Sequence, residues 1–541
     1  MQKFYEDAYG FMKRFWFSIP LTITLLLSFG TRIVTNVVSL DDLMRSRYVS
    51  TGYLGQNRFG GPLFFRLLAI AERYPVAEKI LSTILLATAA ILFCVVLKRA
   101  SHNQLKSGVY TAFACLYASF PLIAELWNYS GTEAVISLSM CFAAGALLVM
   151  MDWRKSRKVS RLVWAAVLMF FATSFFESLA GVFVCGTFIV LFLAYVFGEE
   201  QDRRWKPAVL DGLVFAAVLA VAVALKMGLS LGIRAAMRME HFDGATNTIL
   251  YGSTGLSIPA QIAGLLKDLL FRYVLAGFYY LPIGIFAVAM LLGAGIFLFF
   301  WIRKKRSVVA LFAVGMIGSC FLLSFVQGAV TPYRAAQPLM LYCAFIFAFA
   351  LDLLLRCPKK WIGRAAAVVM CFLCLNQCMN LNKWFSLNYF RSEEEKQAVC
   401  QIAERINSGF DNQKPVVFVG AYPVSEHIMQ QCRTDGSKLG FRMYAALMHA
   451  AGVQEVVDGF QFTQTSVCSY LDYTVYAAPD PTTEPLRLFT YYGFTFTPGT
   501  LEQWKLAHKQ AENMGSWPDA DAIMDAGDYL IVKLGPLEDV Q

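Results

Sequence analysis

Residues 78–106 read EKILSTILLATAAILFCVVLKRASHNQLK, an uncharged run from Ile80 to Leu97 that ends in a short basic loop. A bilayer core about 30 Å thick needs roughly 20 apolar residues per helix, so this stretch predicts a membrane-spanning helix with a positively charged end. The pattern recurs along the chain. Apolar spans are predicted at about 15–38, 78–97, 107–127, 132–151, 160–177, 179–197, 208–231, 279–302, 307–328, 337–356 and 364–381, eleven in all. Composition agrees: the 541 residues are 57% hydrophobic and only 16% charged, with mean hydropathy +0.51, outside the soluble globular range.

The formal net charge of +9 conceals two unlike parts. Residues 1–382 hold 35 Lys+Arg against 18 Asp+Glu, a net of +17, and residues 383–541 hold 12 against 20, a net of −8. The expected domains are therefore a multi-helix membrane domain over 1–382 and a soluble α/β domain over 383–541. Basic residues concentrate in KRASHNQLK near 98, DWRKSRKVSR near 152, DRRWK near 202, RKKR at 303–306 and RCPKKWIGR near 356. Each follows an even-numbered span, so all lie on one side, and the positive-inside rule makes that side and the N-terminus cytoplasmic. An odd number of crossings then places the C-terminal domain outside. Such loops offer no patch for nucleic acid. Met1–Arg14 has mixed charge and no cleavage pattern follows it, so the first span reads as an anchor.

The segments on the opposite side are Ser39–Ala77, AELWNYSGTE at 124–133, the turn around Glu177, Arg234 to about Phe278, and QGAVTPYRAAQP at 327–338. Within the long ones, Pro62–Arg73 and Ile258–Tyr273 have apolar positions at helical spacing, which predicts interfacial helices. Beyond Lys383 the expected elements are a charged helix at 392–408, a strand PVVFVG at 415–420, a helix near 424–434, a strand in YYGFTF near 491 and a strand YLIVKL at 529–534. No GxGxxG, Walker loop, HExxH or internal repeat is present. Of 13 cysteines, ten sit in or beside apolar spans, where they pack as small hydrophobes. Cys371, Cys374 and Cys378 share one helix face without a nearby histidine, which argues against a metal. Cys400, Cys432 and Cys468 leave one disulfide open, and His241, His427, His449 and His508 have no ligand spacing.

Charge on the external side needs a reason. Asp41 and Asp42 follow the first span; as helix-capping residues after Ser39 they need no chemistry, and as an interfacial carboxylate pair they supply a general base. Arg45, Arg47, Arg58 and Arg66 follow at once, and Arg272 and Arg334 lie in later external loops. The arginine fork suits a phosphate diester, so Arg58, Arg272 and Arg334 are candidate ligands for a lipid phosphate headgroup. Glu125 and Glu177 border apolar runs, where a carboxylate is costly unless paired or functional. Trp127, Tyr129, Tyr279 and Tyr280 read as interfacial anchors.

LDDLMRSRY and QNRFGGP after the first span, FPLIAELWNY, SFFESLAGVF and TPYRAAQP together resemble polytopic membrane glycosyltransferases of the GT-C kind, within them the serotype-converting Gtr-type glucosyltransferases. KPVVFVG and MGSWPDADAI…YLIVKL resemble the extracytoplasmic tail of bacterial members. The resemblance implies transfer of a sugar, glucose, from a polyprenyl-phosphate donor to a cell-surface glycan, with Asp41 or Asp42 as the catalytic residue of the first external loop. It implies no cofactor beyond the lipid donor, leaving a divalent cation open, and as partners the bilayer, the donor lipid, the acceptor glycan, a flippase and a donor synthase. Members often carry Tyr-Gln where this chain has Phe176-Glu177. The competing classes are a transporter or lipid-linked glycan flippase without glycosyl-transfer chemistry, which predicts mid-helix charges and inverted repeats, and a membrane-anchored binding protein.

Overall fold

The computed structural model describes residues 2–38, 54, 56–68, 75–127, 132–198, 205–238, 257–270, 273, 285–304, 308–331, 333–432, 470–476 and 480–537. The chain divides into two compact units, Met1–Val34 with Arg47–Trp384, and Thr35–Ser46 with Phe385–Gln541.

The first unit is helical. In chain order it holds α1 (Gln2–Met12), α2 (Phe15–Val34), α3 (Gly60–Leu68), α4 (Pro75–Ala100), α5 (Ser107–Ala118), α6 (Ile123–Trp127), α7 (Thr132–Ser156), α8 (Val159–Phe175), α9 (Leu179–Phe197) and α10 (Trp205–Met237). There follow α11 (Ile258–Leu270), α12 (Ile285–Lys304), α13 (Val308–Cys320), α14 (Leu322–Gln327), α15 (Gln337–Leu355) and α16 (Lys360–Gly409), which continues into the second unit. Among the described residues eight helices, α2, α4, α7, α9, α10, α12, α15 and α16, are long and apolar enough to cross a bilayer. The protein is therefore a polytopic helical membrane protein.

Three of the predicted spans depart from one uninterrupted crossing helix. The span at 107–127 breaks between α5 and α6 at Pro121, which lacks an N–H and clashes with the preceding turn. The span at 307–328 breaks at Phe321, and α14 ends at Gly328, whose φ of 78° lies in the left-handed region that glycine adopts at helix ends. The span at 160–177 stops at Phe175 because Phe176 turns extended. In the opposite sense, the predicted separate helix at 392–408 is continuous with the last span in α16, since no glycine or proline falls between Arg364 and Ser408. The predicted interfacial helices correspond to α3 and α11.

Helices α7, α9 and α15 form the interior; about four-fifths of each span is buried, against roughly a quarter for α10 and α16. α4 packs on α7, α7 on α8, α8 on α10, and α9 on both α13 and α15. The interior is aromatic: Phe192 on α9 meets Phe297, Phe312 and Phe349 from three other helices with ring centroids 5.0–6.3 Å apart. Along α16, polar side chains face α2 and α5. Gln377 accepts from Ser119 at 2.9 Å and Asn382 donates to Thr31 at 3.1 Å, so these groups are satisfied inside the bundle. Cys374 lies 3.6 Å from Thr24 Oγ1 in the same seam, Cys378 is buried and Cys371 is exposed. Among the described residues no cluster of three or more His, Cys, Asp or Glu fits a metal ion.

One end of the bundle gathers the basic loops. Asp7 takes Lys98 at 2.7 Å and Arg99 at 3.0 Å, Asp211 takes Arg154 and Arg157 at 2.8 Å each, and fully buried Asp352 takes Arg356 and the Lys106 backbone N–H. Burial acts to raise the Asp7 carboxyl, but its bonds to Lys98 and Arg99 prevail and hold it below the usual range.

The second unit holds a three-stranded mixed sheet in the order β1 (Val416–Val419), β3 (Leu530–Lys533), β2 (Ile523–Asp525), with β1 parallel and β2 antiparallel to β3. Alternation sends Val416, Phe418, Leu530 and Val532 to one face, against Val399, Ile402 and Ile406 of α16. Val417, Val419 and Ile531 go to the other, against Trp504 and Ala507 of a helix at Leu501–Gln510 whose N-terminus carries a Thr500/Gln503 capping box. The strand expected in YYGFTF is instead the end of a helix, Glu484–Tyr491, followed by a loop: Leu486, Leu488 and Phe489 bury at helical spacing, with Pro485 in the first turn. β2 had no clear sequence signal because it is three residues long. Cys400 is a free thiol, while Cys468 lies outside the described residues.

Candidate active site

The helix ends opposite the basic loops carry a second set of buried charges, paired between elements far apart in sequence. Arg32, in the last turn of α2, donates from Nε at 3.0 Å and Nη2 at 2.6 Å to Glu133 in the first turn of α7, and both are essentially inaccessible. Beside them Trp127 stacks on Phe29 with ring centroids 4.2 Å apart. Trp127 is fully buried, so it is a core residue and not the interfacial anchor expected from its place in a loop.

Glu177 occupies the turn between α8 and α9. It accepts from Arg58 Nε at 3.0 Å and from Lys226 Nζ at 2.7 Å, so one carboxylate faces two cations. Arg58 also donates to Gln56 Oε1 at 3.0 Å and lies over the Phe176 ring, 4.5 Å from its centroid. Lys226 lies about 30 Å along α10 from Trp205 at 1.5 Å per residue, one bilayer core from the basic end of that helix. The approach that closes the triad is tight. Gly60 sits where a Cβ would fall 2.5 Å from Ser174 Oγ and 2.8 Å from the Phe175 ring, so a larger residue there would force those side chains to move. Asn57 adopts φ 61° and its backbone carbonyl accepts from Ser230, one turn beyond Lys226.

Glu125 and Arg334 form a looser pair at 3.6 Å. The two charge centres are linked: Gln337 accepts from Ser178, the neighbour of Glu177, and donates to the backbone carbonyl of Arg334. Gly181 permits this, because a Cβ there would meet Pro338 Cγ at 2.7 Å and the Ser319 carbonyl at 2.9 Å.

Of the residues singled out in the sequence, Arg58, Arg334, Glu125 and Glu177 thus come together at one end of the bundle. Asp41, Asp42, Arg45, Arg47, Arg272, Tyr129, Tyr279 and Tyr280 lie outside the described residues, and Arg66 sits in α3. Arg58 is not a solvated surface side chain: it is 8% exposed and paired. Sequence reasoning missed Lys226, Arg32 and Gln337. Two of the three had a signal: Lys226 and Arg32 are charges inside apolar spans, and such charges need a partner in the bundle.

The fold and these charge pairs define a polytopic helical membrane protein that holds buried ion pairs away from its basic loops. The sequence profile of the family described as Glucosyl transferase GtrII matches residues 30–351, more than half of the chain, and the protein belongs to that family. It is a membrane glycosyltransferase whose matched region spans α3 to most of α15 and includes every charge pair of this site. Comparison with curated proteins returns no match.

Proposed function

We propose that the protein transfers glucose from a polyprenyl-phosphate donor to a cell-surface glycan on the extracytoplasmic face of the cell membrane. In the step, the acceptor oxygen forms a bond to the sugar C1 while the bond from C1 to the phosphate oxygen breaks. The electron pair leaves with the polyprenyl phosphate, and the acceptor proton passes to a carboxylate, Asp41 or Asp42. The observation that carries this reading is the segregation of charge: basic loops at one end of the bundle, and at the other the Arg58–Glu177–Lys226 and Arg334–Glu125 groups, cations suited to a phosphate beside carboxylates. Arg58, Arg334 and Arg272 are assigned to the donor phosphate, and Glu125 and Glu177 to the acceptor side or to support of those cations. Membranes incubated with radiolabelled polyprenyl-phosphate-glucose and candidate glycans should move label into glycan; retention of all label in the lipid, with the protein present, rejects transfer and leaves the flippase reading.

Orientation follows from the same segregation. With the basic end in the cytoplasm, the odd number of crossings expected from the sequence would put the C-terminal unit outside. A reporter that is active only in the cytoplasm, fused after Gln541, should be silent. Strong signal from it would reverse the topology and remove the external site.

Arg334 gives a sharper test. Arg334→Lys keeps the charge and loses the bidentate fork, so donor use should weaken about tenfold while the protein level stays normal. An unchanged dependence on donor concentration would detach Arg334 from the phosphate.

A further inference from the structure

Lys226, 3% exposed at its side chain, shares the Glu177 carboxylate with Arg58. Glu177 is the one polar partner of Lys226 among the described residues, and an ammonium group carries three donors, so its hydrogen-bonding capacity is mostly unused. A buried lysine so placed is costly unless an anion completes it. Next to it, Asn57 Oδ1 is buried without a hydrogen-bond partner among the described residues. Asn57 belongs to the same face, because Ser230 of α10 donates to its backbone carbonyl.

We infer that Lys226, with Arg58, forms the oxyanion site for the donor's phosphate, and that Glu177 is the internal counter-ion holding this site when no phosphate is bound. The inference rests on the lipid-phosphate donor proposed above and adds a ligand from inside α10 that the external arginines did not include. A phosphate oxygen and a carboxylate oxygen present the same acceptor to an N–H at 2.7–3.0 Å, so a phosphate approaching Lys226 and Arg58 competes with Glu177 for their donors. The orphan Asn57 Oδ1 accepts a hydroxyl, which a sugar attached to that phosphate supplies.

The prediction that separates this role from a structural one concerns sign. Removing the counter-ion's charge should strengthen phosphate binding, whereas a residue that merely maintains the fold should weaken it. The full chain, purified in lipid nanodiscs, is titrated with a long-chain polyprenyl monophosphate, with the unphosphorylated polyprenol and with inorganic phosphate. The wild type should prefer the phosphorylated lipid to the polyprenol. Lys226→Met should reduce that preference about tenfold or more, Lys226→Arg should retain most of it, and Glu177→Gln should increase it. Displacement of the lipid by inorganic phosphate would show that free phosphate is also taken, and its failure to displace would show that the lipid headgroup is the source; the anion site stands in either case. A preference unchanged in Lys226→Met, or lowered in Glu177→Gln, overturns the inference, and radiolabel transfer then reports separately whether the donor reading survives. If Glu177→Gln fails to assemble, the contrast between Lys226→Met and Lys226→Arg decides alone: equal loss in both overturns the site.

Discussion

Asn substitution should divide the aspartate pair. Asp41→Asn or Asp42→Asn, one of the two, should lower glycosyl transfer by about 10² to 10⁴, because an amide keeps the size of the side chain but cannot take the acceptor's proton. The other should lose far less, about 1 kcal/mol, through helix capping or local positioning. Asp41 is the expected base, since in the sequence it follows the first apolar span one residue sooner than Asp42. The measurement is label transfer at equal protein level with donor binding checked in parallel. Near-normal transfer in both variants would place the base elsewhere, and Glu177 would be tested next. Its pairing with two cations favours the counter-ion role over the base.

The second large effect is on stability. Glu177→Gln removes the carboxylate that Arg58 and Lys226 share, and removing one partner of a buried ion pair costs about 3 kcal/mol or more, the lower end applying here because 21% of the Glu177 side chain is exposed. Lys226→Met should cost much less, because it leaves a one-to-one Arg58–Glu177 pair and puts an apolar chain of similar length into the bundle. The order of thermal midpoints in detergent should therefore be wild type, then Lys226→Met, then Glu177→Gln. A polyprenyl monophosphate should restore part of the loss in Glu177→Gln, since a ligand bound only by the folded state stabilises it. Equal midpoints for the two variants would mean that Glu177 carries no net burden of buried charge.

The same triad shows where sequence reasoning reaches its limit. Glu177 stood out because a carboxylate between two apolar runs is conspicuous, and Arg58 because it belongs to an arginine-rich external segment. Their pairing was not visible: 119 residues separate Arg58 from Glu177, and 49 separate Glu177 from Lys226. Arg32 and Glu133, 101 residues apart, are a second case. Asp41 and Asp42 rest on sequence and family alone.

The sequence by itself determined that the chain crosses a membrane several times, and where its long apolar helices lie, because a run of about 20 apolar residues has few other structures open to it in lipid. It also determined the strands at Val416–Val419 and Leu530–Lys533, whose apolar residues run uninterrupted between turn signals. Tertiary structure decided the rest. It turned YYGFTF into a helix end because burial of Leu486, Leu488 and Phe489 outweighed aromatic strand propensity, and it buried Trp127 against Phe29. It also chose which cation meets which carboxylate, because the cost of an unpaired charge is local whereas the helix that relieves it can come from anywhere in the chain.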